Sequence, residues 1–175
     1  MSTGDLSAGM LIALGVFPLM MIVAAALDVA TMTISNKLSA LLALAFFPAA
    51  LLGGLPVTDI ALHTGVGAAA LVAGFSLFAG GWIGGGDAKF LAATALWMGL
   101  PQIAPFVLMV GLAGGVLAVL LLLARQVPLP SPLLRHDWIV RLHLKETGIP
   151  YAAAFAAGAL IVFPDTELFA GLIAR

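Results

Sequence analysis

Apolar residues run through this chain in long blocks rather than in the short alternations of soluble elements, and the polar residues collect between the blocks. A bilayer crossing takes about 20 mainly apolar residues. The blocks at about 9–27, 38–55, 60–82, 88–100, 103–124 and 150–172 therefore predict an all-α bundle of six transmembrane helices, a single membrane-embedded domain over 1–175. Gly99-Leu100-Pro101 divides 88–124 into two antiparallel helices, because a proline after a glycine breaks a continuous one. At about 1.5 Å per residue the fourth helix reaches only roughly 20 Å. It is expected to start below the membrane surface, entered from the glycine-rich segment Gly84-Gly85-Gly86, with Asp87 at its mouth. The segment 125–149 opens with Pro128, Pro130 and Pro132 and then alternates Val140-Arg141-Leu142-His143-Leu144-Lys145, which predicts a short strand or an extended surface segment.

Composition supports the membrane reading: 63% of the 175 residues are hydrophobic, 9% are charged, and the mean hydropathy is +1.20. A net charge of −1 gives no basic face for a nucleic acid. Without cysteine there is no disulfide, no thiol nucleophile and no Cys-based zinc site, so acids, histidines and hydroxyls remain for chemistry. The start MSTGDLSAGM lacks the basic opening of a secretory signal, and the first block is read as a retained span.

Charge then orients the bundle. Lys37, Lys89, Arg125, Arg135, Arg141 and Lys145 fall on connections at one side and Arg175 alone on the other, which makes the first side cytoplasmic by the positive-inside rule. Asp28, closing the first block, and Asp87 share that side despite their distance in sequence. Small residues punctuate the spans (Gly65, Gly67, Gly74, Gly111, Gly114, Gly115, Ala152 to Ala154, Ala156 to Gly158) and predict close helix approach.

Carboxylates are costly toward the bilayer centre, about 2.5–3.5 kcal/mol on insertion scales, so two acids set against spans suggest a functional pair. Two adjacent carboxyl groups share a proton. One can take a proton from water as it attacks a peptide carbonyl, while the other supports the oxyanion and the leaving amine, with no metal or other cofactor. The helix dipole would bias Asp87, at a helix N-terminus, toward the ionised role and Asp28, near a C-terminus, toward the protonated one. Gly84, Gly85 and Gly86 would let the backbone take positive φ and approach a substrate strand. A small proton-coupled transporter using the same acids is the alternative, although that class favours acids near the midplane.

The string Gly84-Gly85-Gly86-Asp87-Ala88-Lys89, Asp28 followed by Ile34-Ser35-Asn36, and Ile149-Pro150-Tyr151-Ala152-Ala153-Ala154 with Gly158 together resemble the prepilin peptidases, the Gly-x-Gly-Asp aspartic proteases of type IV pilus systems. Where that family often has proline before the asparagine, this chain has Ser35. The resemblance implies catalysis by Asp28 and Asp87 at the cytoplasmic face of a bacterial inner membrane. It implies substrates, prepilins or pseudopilins, that carry a basic leader and a hydrophobic N-terminal helix, and partners in the membrane lipid and the pilus assembly machinery. With no cysteines and a short first connection there is no room for the family's methyltransferase domain, so the chain is similar to the short, peptidase-only kind serving Flp or Tad pili. Supporting roles fall on Gly84, Gly85, Gly86, Lys89, Asn36, Pro150 and Tyr151. Lys89 reads as an anchor or a tuner of the acids, and Asn36 as a cap of the second span or a guide for Asp28. His63 reads as an interhelical hydrogen-bonding group, and Trp82, Trp97 and Trp138 as interface or packing residues. His136 and His143 lack metal-ligand spacing. Asp59, Asp137, Glu146, Asp165 and Glu167 read as loop charges.

Overall fold

A computed structural model describes residues 11–145 and 148–173; Glu146 and Arg175 lie outside them. Every element there is helical. A π-helical turn, Leu11–Val16, leads into α1 (Phe17–Thr31); α2 (Asn36–Leu52), α3 (Val57–Ala79) and α4 (Gly85–Ala124) follow. After a 3₁₀ turn at Ser131–Arg135 come α5 (Asp137–His143), α6 (Tyr151–Val162), a second 3₁₀ turn at Phe163–Asp165, and α7 (Glu167–Ile173).

Leu14–Thr31, Val57–Ala79 and Gly85–Ala124 are long and apolar enough to cross a membrane, and Asn36–Leu52 and Tyr151–Asp165 are shorter apolar helices. Large apolar side chains face outward, Val72 69% exposed, Phe75 62% and Val116 60%. A surface of this kind suits a hydrocarbon solvent.

Within α4, Gly99 leaves the helical region at φ 68°, ψ 178°, so the element is two limbs. Contacts with α6 fix their directions. Along the first limb Phe90 meets Phe155 and Trp97 meets Phe163, so that limb runs parallel to α6. Along the second, a side chain at Gly158 would strike Val110 and one at Gly114 would strike Tyr151, so that limb runs antiparallel to it. The limbs thus form a hairpin, as Gly99-Leu100-Pro101 predicts. The break at Gly99 displaces the Leu100 N–H and Pro101 has none, so carbonyls of the preceding turn lose their helical partners. His63 answers one of them: its Nδ1 lies 2.6 Å from the Leu96 oxygen, with the ring stacked on Phe46.

The first limb is the centre of the molecule, with Ala92 through Gly99 all buried. Close approach uses some of the small residues and not others. A Cβ at Gly67 would lie 2.7 Å from Leu96, and one at Gly74 3.1 Å from Ala88. Gly65, Gly111 and Gly115 face open space.

Three expectations change. Residues 137–143 form a helix, not a strand: Ile139, Leu142 and His143, at helical spacing, line a cavity with the proline-bearing segment. Asp137 in the first turn and Arg141 and His143 in the last complement the helix dipole. The block 150–172 is not one helix, because Pro164 falls in the turn between α6 and α7 and Thr166 starts the latter, its Oγ1 accepting from the Phe169 N–H at 3.2 Å. The first helix runs past 27 to Thr31, ending on Met32 in the left-handed region (φ 57°), so Asp28 lies within its last turn.

Candidate active site

At one end of the bundle the chain makes three tight connections, and the two acids come from two of the helices they join. Asp28 stands in the last turn of α1, 4% exposed. Asp87 is the third residue of α4, behind Gly84 in extended conformation and Gly85 and Gly86 in the first turn. Both line a cavity of about 650 Å³ with Met32, Ile34, Trp82 and Tyr151, a size typical of sites for small ligands or short peptide segments.

Each carboxylate is held by one N–H from a helix start. The Asp87 Oδ2 accepts from the Gly84 N–H at 3.2 Å, which anchors the acid to its own helix. The Asp28 Oδ2 accepts from the Ala152 N–H at 2.9 Å, across the bundle. Ala152 is the second residue of α6, where backbone N–H groups have no partner within the helix. The dipole argument for dividing the acids' roles therefore fails: Asp28 is near the C-terminus of its own helix but also against the N-terminus of another.

The glycines serve in a way different from the expected one. None of Gly84, Gly85 and Gly86 has positive φ; among the described glycines that conformation falls on Gly54, Gly81 and Gly99. What the three supply is room. A Cβ on Gly86 would lie 3.2 Å from the Ile34 carbonyl oxygen, one on Gly85 3.3 Å from the Phe78 ring, and one on Gly84 2.9 Å from the Asp87 Oδ2. A side chain on Gly86 would push the connection after α1 away from the start of α4, one on Gly85 would crowd α3, and one on Gly84 would displace the Asp87 carboxylate.

The other candidate residues divide. Tyr151 lines the cavity as the first residue of α6, its ring against Gly114. Pro150 is buried just before it and sets the helix start. Lys89 and Asn36 bond to each other, Nζ to Oδ1 at 2.9 Å, and face a second cavity. Asn36 does not cap α2; Ser35 does, its Oγ accepting from the Leu38 N–H at 3.1 Å. The serine that replaces the expected proline thus has its own structural use.

Sequence reasoning missed the Ala152 N–H, although a helix opening Pro-Tyr announces free N–H groups in its first turn. It also missed the strap over this end. Arg125 donates through Nε to the Leu142 carbonyl (2.9 Å) and through Nη2 to the Gly148 carbonyl (2.9 Å), and Arg141 donates to the Ala30 carbonyl (2.7 Å), two residues past Asp28. Among the described residues, no three His, Asp or Glu side chains gather as metal ligands would.

No curated protein and no solved structure matches this sequence. The profile of the type IV leader peptidase family matches residues 15–119, more than half of the chain and a stretch that contains both acids. With two cavity-lining aspartates brought together from within that stretch, the chain belongs to the type IV leader peptidase family.

Proposed function

We propose that this peptidase cleaves Flp-type prepilins by an aspartic mechanism in which Asp28 and Asp87 hold the hydrolytic water between them. The observation that carries the reading is the placement of both acids on one cavity at one end of an apolar bundle. One carboxylate takes a proton from water, which attacks the scissile carbonyl. The other, protonated, donates to the oxygen as charge develops and then supplies the proton that lets the amine leave. The hydrogen bond to each carboxylate uses Oδ2, which leaves Oδ1 to take up such a water in this reading.

The remaining details follow from charge and length. In this reading the apolar passes, with the two limbs of α4 counted separately, are six membrane spans in a bacterial inner membrane. The acid end carries Lys37, Lys89, Arg125, Arg135, Arg141 and Lys145, and faces the cytoplasm. A prepilin would present its basic leader there, with its hydrophobic helix in the bilayer, and the scissile bond where the helix emerges. An end-on site favours this over proton transport, which calls for acids near the midplane.

The test is to co-express the chain with a candidate Flp-type pilin precursor and follow the pilin's mass. Processing by the parent and its loss in both Asp28→Asn and Asp87→Asn, with each variant still inserted in the membrane, is the expected result. Undiminished processing by either variant would overturn the pair.

A further inference from the structure

The cavity that Lys89 and Asn36 face lies apart from the acids. It holds about 390 Å³ between α2 and α3, floored by the first limb of α4, and beyond its rim the walls are almost wholly apolar and mostly small, with Ala40, Ala43 and Ala68 among them. At the rim the Lys89 ammonium, one of whose three donors is used on Asn36, has no acidic partner among the described residues. One turn deeper along α2, about 4.5 Å lower, lies Ser39. It is 5% exposed, lines the same cavity, and its Oγ has no hydrogen-bond partner.

That hydroxyl is an exception. Thr31, Thr64, Ser76 and Thr94 each satisfy theirs on the carbonyl one turn back. For Ser39 that carbonyl is Ser35's, which already accepts from the Leu38 and Ser39 N–H groups. A buried hydroxyl without a partner is costly, and because Ser39 lines the groove an occupant there can offer the acceptor that the protein lacks.

The order down the groove is cation and amide, then hydroxyl, then apolar walls. We propose that the groove binds an anionic phospholipid, with its phosphate on Lys89 and Asn36, an ester carbonyl accepting from Ser39 Oγ, and an acyl chain along Ala40, Ala43 and Ala68. An apolar peptide helix fits less well, because its carbonyls are taken by its own ladder and Ser39 stays unanswered. The site goes beyond the proteolytic reading and stands without it.

The test uses the purified full-length protein in detergent, exposed to phosphatidylglycerol or phosphatidylcholine of equal chain length, with retained lipid counted by native mass spectrometry. Phosphatidylglycerol should be retained roughly fivefold better, the selectivity one lysine near a headgroup confers. Lys89→Gln should bring it down to the phosphatidylcholine level. Ser39→Ala should weaken both lipids, and Ala43→Phe, which fills the groove below the headgroup, should displace both. Equal retention of the two lipids by the parent, or undiminished phosphatidylglycerol on Lys89→Gln, would overturn the site. So would a photo-crosslinker at position 43 that traps an added apolar helical peptide in preference to lipid.

Discussion

The two ends of this bundle are built from different materials. At the end away from the acids, aromatic rings interlock: Phe17 lies 4.8 Å from Trp97 and 4.4 Å from Phe163 between ring centroids, Phe46 packs edge-on to Trp97, and Phe169 on Phe163. Trp97 also donates from Nε1 to the Leu42 carbonyl at 3.0 Å, inside the α2 ladder. At the acid end the contacts are glycines, single hydrogen bonds and a cavity. In a bilayer, burying apolar area gives helices little reason to associate, so interlocked rings and close backbones must hold the bundle. The comparison teaches a division of labour in which aromatic packing fixes the helices at one end and leaves room for a cavity at the other.

The largest effect should come from the acids. Asp87→Asn is expected to lower the rate of leader removal by about 10³-fold or more, within what proton transfer by a positioned side chain contributes, while leaving thermal stability close to the parent. An isosteric change that instead unfolded the protein would show that the acid end, too, is a structural anchor. The reverse pattern belongs to the aromatic end. Trp97→Ala should cost about 3–5 kcal/mol, through the cavity it opens and the bond it removes, read as loss of resistance to denaturation in detergent. Full stability in that variant would abolish the contrast between the ends.

Gly99→Ala tests the turn that joins the two limbs of α4 beside the aromatic cluster. Its Cβ would meet the His63 ring at 2.6 Å, and φ is 68°, so a cost of about 1–3 kcal/mol is expected, together with loosening of the hairpin seen by disulfide trapping between the limbs. The smallest effect is expected at Ser35→Ala, about 1 kcal/mol for a lost N-cap, measurable as a modest fall in melting temperature with processing retained. If that variant fell as far as Trp97→Ala, the connection after α1 would have to be counted among the anchors.

How much of this could be read beforehand depends on whether the signal was local. The apolar blocks and the break at Gly99-Leu100-Pro101 were legible, since block length and turn chemistry are written in consecutive residues, and counting the blocks put Asp28 and Asp87 at the same end, where both line one cavity. His63 as an interhelical bond was legible too, because a lone imidazole inside a span must find an acceptor. The helix at 137–143 was not: its alternating residues fit a strand, and what decides is that Ile139 and Leu142 fold back on the proline-bearing segment just before them. The use of the glycine triplet was half legible. Its backbone freedom was the obvious inference, yet the neighbours that need the space, Ile34 and Phe78, are visible only once the helices are assembled. That Asn36 and Lys89 bond to each other and face a separate cavity was not legible, because nothing in the spacing of 36 and 89 announces that they meet.

One consequence concerns the hydrogen bond from Ala152 to Asp28. The stretch that carries the family's profile, residues 15–119, holds both acids but stops short of α6, the donor's helix. A fragment cut to that stretch would retain every atom of both cavity-lining acids and still release Asp28 from the N–H group that holds it. Any attempt to shrink or transplant this enzyme must therefore carry the sixth apolar pass along, as a bearing for the first aspartate.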